Sequence, residues 1–350
     1  MNQASLITGD LTYLRAPFLT NVTKGMKVLV VTDFAHDPRV WQAIMSTLTE
    51  IGADAALSIF DARPADYYDP PTPVCNAMMQ ADLVVLIAST GMLHAPASIK
   101  AQVAGIPVIC MDGGMTLEMF QSGAVTENQR EMAIRHHYVG MNILGVDAKM
   151  CRVTSKFGTD LTYSVEGRIY PPKLPADDFT PYKVNHLSKT SNRKSSLFRF
   201  LYPNGELNIC PVEYSANGKL VIDLCMHQLG LLKEPIELTI EQGRISRIEG
   251  GTSAFKLRQY LEANADENGY VCPAEASVGI NAKATIRGVQ REDKNILGSM
   301  HFGLGTNVDV GGTIASNIHM DGVILEPTLY VDGDKRIEHG KFLRQLDRLV

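Results

Sequence analysis

The stretch that decides the fold is Met26–Asp61, MKVLVVTDFAHDPRVWQAIMSTLTEIGADAALSIFD. MKVLVVTD (26–33) is a continuous apolar run that ends on an acid, the pattern of a strand buried on both faces. PRVWQAIMSTLTEIG (38–52) carries apolar residues at helical spacing, opens on a proline and stops at a glycine. ADAALSIFD (53–61) is a second strand. A strand, a crossover helix and a strand in this order predict a parallel pair. The unit recurs downstream. NAMMQA (76–81) reads as helix, ADLVVLIAS (81–89) as buried strand, SIKAQVAG (98–105) as a short helix and IPVICMDGG (106–114) as strand. ENQREMAIRHHYVGMNILG (127–145) extends the pattern by one further helix. Residues 1–150 are therefore expected to form an α/β domain with a parallel sheet. No G-x-G-x-x-G follows any of these strands, and the turn from Asp33 to Pro38 is acidic and free of glycine. Such a turn makes a poor phosphate cradle, so nucleotide binding is not expected here.

Beyond residue 150 the texture changes. VTSKFGTDLTYSVEGRIY (153–170) alternates, a Pro-rich polar connection follows (171–196), and short strands come next, separated by turn residues. Asn217-Gly218 and Gln242-Gly243 read as hairpin turns, and FKLRQYLEANA (255–265) is the clear helix of this half. Residues 151–350 are expected to be an α+β domain, β-rich and mostly antiparallel.

Composition narrows the function classes. The chain has 350 residues, 45% apolar and 20% charged, with a formal net charge of -5. A chain of this length is comfortable for two domains. Its charge gives no reason to expect a nucleic-acid partner. Its apolar runs are too short for a membrane span, and the N-terminus lacks the build of a signal peptide. The six cysteines are scattered with no C-x-x-C pair, which suits reduced thiols in a cytoplasmic protein.

Chemistry-bearing residues concentrate in the second half. Glu213 follows Cys-Pro-Val at a strand end, and Glu275 sits among small apolar residues in CPAEASVGIN. His301 lies in SMHFGLG, ahead of a Gly-rich turn. His319 and Asp321, in NIHMDG, are two apart and so share one face of a strand. A buried carboxylate in an apolar strand is costly unless paired or bound to a cation. Taken singly, each residue has an ordinary structural reading: a hydrogen-bonded core histidine, a solvated strand end, or a salt bridge from Glu275 to Lys283 or Arg287. As a set, two histidines and three carboxylates suit Zn, Mn, Co or Fe(II) and could hold one or two ions. His227 and the His136-His137 pair lie on predicted strand and helix surfaces and are assigned no function, because nothing in their spacing brings them to this set.

The segment LGSMHFGLGTNVDVGGTIASNIHMDGVILEPTLYVDG (297–333) resembles the C-terminal signature of the aminopeptidase T group of metallo-aminopeptidases and of the related 2,5-dihydroxypyridine 5,6-dioxygenases. CPVEYSANGKLVID (210–223), PAEASVGINAKA (273–284), VTSKFGTDLTYSVEGR (153–168) and STGMLHAP (89–96) are similar to further family segments. The aminopeptidase resemblance implies metal ligands at Glu213, Glu275, His301, His319 and Asp321. A tyrosine that those enzymes carry soon after the His301 position is replaced here by Asn307. The dioxygenase resemblance implies a single iron held by two histidines and one carboxylate. His319 and Asp321 would supply two of the three, while Glu275 stands where the other histidine falls and His301 is the candidate substitute. It also implies an acid/base role for His94 in GMLHAP, just past the end of a parallel strand.

The reading that follows is a metal-dependent hydrolase. Water activated by the ion would cleave a C–N bond of a small amide or cyclic substrate, with His94 passing a proton to the leaving nitrogen. The alternative is a non-haem Fe(II) dioxygenase that opens a dihydroxypyridine-like ring. A second alternative is a metal- or ligand-binding protein without catalysis. The family resemblance implies a homodimer.

Overall fold

The computed structural model describes residues 9–168, 177, 179–184, 199–308 and 310–343. Of the polar connection at 171–196, only 177 and 179–184 fall within them. The contacts divide the described chain into two compact units.

The first unit is built on a parallel sheet, as the repeated strand–helix pattern predicts. Its strands run in the order Asp54–Phe60, Lys27–Asp33, Leu83–Leu86, Val108–Cys110 and Arg199–Leu201, every neighbouring pair parallel. The central strands are apolar because both faces are covered: Val30, Val31, Val84 and Val85 are fully buried. Removing one such side chain from water is worth roughly 1.5–3 kcal/mol. The crossover helix Pro38–Ile51 begins where Asp37 accepts from the Arg39 amide at 3.0 Å, and ends at Gly52, whose φ of 79° lies in the left-handed region. The turn after Lys27–Asp33 is closed by its own acid. Asp33 accepts from the amides of Ala35, His36 and Ser89. Amides committed in this way are not available to a phosphate.

The sequence places one boundary at 150, whereas the contacts group the chain differently. The described residues through Gln129 fall in the first unit and those from Arg130 to 168 in the second. Arg199–Leu201 then returns to the edge of the parallel sheet before Gly205 begins the rest of the second unit. The helix expected over 127–145 is Gln129–Tyr138, continued by a π-helical segment, Val139–Leu144.

The second unit contains two antiparallel sheets. One runs Arg244–Glu249, Ile236–Glu241, Asn217–Ile222, Asp160–Ser164, Met150–Thr154, Thr328–Val331, Asp334–Glu338, Lys341–Phe342. The other runs Gly230–Leu231, Cys225–Met226, His319–Ile324, Met300–Gly305, Glu275–Gly279, Glu206–Ile209. They meet through apolar side chains. Tyr163 of the first packs edge-on to Phe302 of the second, with ring centroids 6.1 Å apart. A Cβ at Gly322 would run into Ile222 and Met226, so that strand approaches its neighbour as closely as glycine permits. The helix expected at 255–265 is Thr252–Asn264.

Of the two hairpin signals, Gln242-Gly243 does join Ile236–Glu241 to Arg244–Glu249, both residues having positive φ. Asn217-Gly218 does not make a hairpin. It opens the strand Asn217–Ile222, and a Cβ at Gly218 would collide with the Asp160 carbonyl of the neighbouring strand. The glycine serves close backbone approach within a sheet, which the dipeptide alone cannot distinguish from a turn.

His136, read from the sequence as a surface residue, is buried at 8% exposure. Burial, together with neighbouring His137, pulls its pKa down from 6.5 to about 4. The unfolded chain therefore takes up a proton at His136 below pH 6.5, whereas the folded chain resists it until about pH 4. Stability from this source is intact above pH 6.5 and is lost across that window, by about 3 kcal/mol at most. Urea unfolding at pH 7 and pH 4.5 checks it: His136→Gln is expected to lose less stability on acidification than the unsubstituted protein. Equal losses would show that His136 is not held neutral.

Candidate metal centre

The strand periodicity of the six-stranded sheet sorts its residues into two faces. Glu275 pairs with Gly303, which pairs with Asp321; Ser277 pairs with His301; Gly305 pairs with His319; and Gly279 pairs with Glu206. Directly opposed residues in an antiparallel sheet share a face. One face thus carries Glu206, Glu275, Ser277, His301, His319 and Asp321, with Gly303 and Gly305 among them. The other carries Leu207, Ala276, Val278, Met300, Phe302, Leu304 and Met320, the side that meets the eight-stranded sheet. The alternation that hides the apolar residues therefore gathers the acids and imidazoles on a single buried patch.

Glu275, His319 and Asp321 each offer one ligand atom, and the three atoms lie within 4.8 Å of one another. All three residues are 3% exposed. His319 Nδ1 lies 2.7 Å from the Thr306 carbonyl oxygen, which can only accept, so Nδ1 carries a proton and, in the neutral ring, Nε2 is an acceptor. That Nε2 faces Asp321 Oδ1 at 3.0 Å and Glu275 Oε2 at 3.5 Å. The second oxygen of each acid is held elsewhere. Glu275 Oε1 accepts from Ser277 Oγ at 2.8 Å and from His301 Nε2 at 3.2 Å. Asp321 Oδ2 accepts from the Gln290 amide and from Lys294 Nζ, the latter at 3.2 Å. Asp321 Oδ1, by contrast, makes no hydrogen bond among the described residues.

Three acceptors turned toward one another in a water-poor site repel unless something positive lies between them. Around an ion bound at about 2.0–2.2 Å, neighbouring ligand atoms lie roughly 3.0–3.5 Å apart, the spacing found here from His319 Nε2 to each of the two acids. Gly303 makes the same point. A Cβ built there would sit 2.9 Å from His319 Cε1, 3.1 Å from Nε2 and 3.1 Å from Glu275 Cβ. The space in front of the three ligand atoms is kept open by the lack of a side chain. The residues present fit one divalent ion held by one imidazole and two carboxylates, each fixed by a hydrogen bond through its other polar atom.

Two more of the sequence-predicted residues are placed differently. His301, fully buried, donates to Glu275 and lies 3.7 Å from Glu206, behind the group of three. Glu213 is bound by the Arg168 guanidinium, the Thr313 amide at 2.8 Å and Asn307 Nδ2 at 3.4 Å. Burial would raise its pKa, but those donors hold its carboxyl below the usual range. It is not in the group of three. Asn307, at the position of the missing tyrosine, also accepts from the Ile314 amide at 2.7 Å, so it braces the loop that carries Thr313. His94 belongs to the first unit, where its ring meets Tyr67 edge-on with centroids 5.1 Å apart.

Glu206 and Lys294 were not singled out from the sequence. Lys294 lies 3.0 Å from Glu206 and 3.2 Å from Asp321 and is 7% exposed. Burial opposes its charge, yet Glu206, Asp321 and Glu275 outweigh burial and raise its pKa. Burial would raise the Asp321 pKa, but Lys294 holds its carboxyl well below the usual carboxylate range. Glu206 had a weak signal, since it alternates with Asn208 in GELNIC; Lys294, in REDKNIL, had none.

Gly303→Ala is expected to weaken binding of a divalent ion at least tenfold while leaving the chelator-treated protein folded, because the methyl group occupies the ligand space and not the sheet's apolar face. Calorimetric titration with Mn2+, beside circular dichroism of the metal-free form, checks this. Unchanged affinity would place the ion elsewhere.

No described helix is long and apolar enough to cross a membrane. All six cysteines are free thiols, five of them buried.

Residues 13–173 and 198–344 match the sequence pattern of the 2,5-dihydroxypyridine 5,6-dioxygenase (NicX) family. The 2,5-dihydroxypyridine 5,6-dioxygenase of Pseudomonas putida is 30% identical over 148 residues, which are 39% of this chain and 42% of that protein. The match therefore spans about two-fifths of that relative's length. The solved structure of a 2,5-dihydroxypyridine dioxygenase from the same organism superposes with a TM-score of 0.70 at 20% identity, over 96% of this chain and 97% of that one. AmpT from Thermus thermophilus superposes with a TM-score of 0.60 at 12% identity, over 95% of this chain and 98% of that one, a likeness of fold. The aminopeptidase side of the resemblance thus rests on architecture, while the sequence match lies with the dioxygenases. The chain belongs to the 2,5-dihydroxypyridine 5,6-dioxygenase family.

Proposed function

We propose that this protein is a mononuclear Fe(II) enzyme that opens a hydroxylated nitrogen-containing aromatic ring with O2. The observation that carries the reading is the convergence of His319 Nε2, Asp321 Oδ1 and Glu275 Oε2 on one point, in a chain of this family. This exchanges the order of the two readings drawn from the sequence: ring cleavage comes first and hydrolysis second. When bound, Fe(II) would supply the one-electron chemistry with O2 that no side chain offers.

The side chains do the rest. The Thr306 carbonyl fixes the His319 tautomer, and Gln290 and Lys294 fix Asp321. Ser277 and His301 hold Oε1 of Glu275, so its other oxygen is the one turned toward His319. Glu275, His319 and Asp321 are buried, and a water-poor setting strengthens each of these interactions. His94 is proposed as the residue that takes a proton from a ring hydroxyl of the substrate, on the similarity of GMLHAP to the family segment.

A specific departure favours the second reading. The Fe(II) oxygenase triad has two histidines and one carboxylate, and Glu275 replaces one histidine by an acid. An oxygen-rich set with one imidazole also suits Mn2+ or Zn2+, which would activate water for hydrolysis of a small amide or cyclic C–N substrate. Metal content and gas consumption separate the two. Protein purified without oxygen and supplied with Fe(II) is expected to hold one ion per chain and to consume O2 with a dihydroxypyridine. Turnover of a cyclic amide with Mn2+ or Zn2+, indifferent to O2, would overturn the oxidative reading. His319→Ala and Asp321→Ala are each expected to abolish metal binding and turnover together; retained turnover in either would remove the site from the chemistry. Glu275→His is expected to shift retention toward Fe(II) over Mn2+ in a competition dialysis. An unchanged preference would mean that Glu275 is not a ligand.

A further inference from the structure

The same buried face holds a second cation position, and it is filled by a side chain. Glu206 Oε2 lies 3.0 Å from Lys294 Nζ, and Asp321 Oδ2 lies 3.2 Å from it. His301 Nε2 is 3.7 Å from that same Glu206 oxygen, and His301 Nδ1 makes no hydrogen bond among the described residues. Without the ammonium, a carboxylate oxygen of Glu206 and one of Asp321 would remain facing one point, with the His301 ring beside the first, a set of the kind that binds a divalent ion. We infer that Lys294 stands in for a second metal ion and so restricts this centre to one.

Geometry and charge agree on this. Asp321 is shared: its Oδ1 faces the group with His319 and Glu275, while its Oδ2 faces Lys294. A carboxylate that offers one oxygen to each of two positive centres is how paired metal sites are bridged. Among the groups in direct contact, Glu206, Glu275 and Asp321 bring three negative charges and Lys294 one positive, leaving the two that a single divalent ion neutralises. Arg291, on the same turn, opposes the charge of Lys294. The other acids of that turn are engaged locally. Glu292 accepts from Thr285 at 2.9 Å, and Asp293 accepts from the amides of Arg287 and Gly288. Glu213 is likewise taken up by a resident cation, Arg168. Both acids that lie outside the triad and could have served another ion, Glu206 and Glu213, are thus met by basic side chains of this chain.

The inference rests on the reading of Glu275, His319 and Asp321 as the one-ion site, and the experiment keeps the two apart. The full-length protein is stripped with chelator, dialysed to equilibrium against Mn2+, and its bound metal measured. The unsubstituted protein and Lys294→Arg are expected to hold one ion per chain. Lys294→Ala is expected to hold two, with a second rise in melting temperature as Mn2+ increases. Adding Glu206→Gln to Lys294→Ala is expected to return the count to one. If the unsubstituted protein binds no ion, the one-ion reading fails and the inference with it. If it binds two, both also fail. If it binds one and Lys294→Ala still binds one, only the inference about Lys294 is overturned. Failure of Lys294→Ala to fold at any Mn2+ concentration overturns it as well, because an ion is then no substitute for the ammonium. A second ion that persists in the Lys294→Ala, Glu206→Gln double variant has the same consequence.

Discussion

The site depends on one arrangement of three acceptors. His319 commits its Nδ1–H to the Thr306 carbonyl, so in the neutral ring its other nitrogen presents a lone pair to Asp321 at 3.0 Å and to Glu275 at 3.5 Å. Lone pairs at that distance in a dry setting are a source of strain unless a cation joins them. Much of the local structure serves to keep them there. Ser277 and His301 hold the other oxygen of Glu275, Gln290 and Lys294 the other oxygen of Asp321, and Gly303 leaves the space in front of all three empty.

The sheet explains how such a group can be buried at all. With one face of six strands apolar and packed on a second sheet, the opposite face is free to collect polar residues without breaking the core. The two sets are separated only by the alternation of the strand. Charge then decides how the polar face is used. Lys294 is desolvated, yet it stays charged because two carboxylates lie within 3.2 Å. Removing one partner of a buried pair of this kind costs on the order of 3–5 kcal/mol, which ties the geometry of Asp321 to the presence of the lysine.

Much of the fold was legible because the signals were local. MKVLVVTD and ADLVVLIAS are apolar runs whose burial on both faces is written in the residues themselves, and the helix between Pro38 and Gly52 carries its own start and stop. His319 and Asp321 were legible for a related reason, being two apart on a strand. Glu275 and His301 stood out by their apolar and glycine-rich surroundings, and the structure places Glu275 beside His319 and Asp321 and His301 behind that group. Glu213 illustrates what a sequence cannot give. Its surroundings resemble those of a ligand, but its partner is Arg168, a residue 45 positions earlier that reaches it only through folding. Asn217-Gly218 failed in the same way: whether the glycine turns the chain or admits a neighbouring strand depends on Asp160, which lies far from it in sequence. His136 looked like a surface residue on a polar helix until tertiary packing covered it.

X-ray absorption of the protein loaded with Fe(II) tests the central claim most directly, since it reads both the neighbours of the ion and the presence of a second one. The expected result is a single imidazole bound to the ion, oxygen for the remainder, and no metal–metal vector. Two or more imidazoles per ion, or a second metal at about 3.5–4 Å, would contradict it.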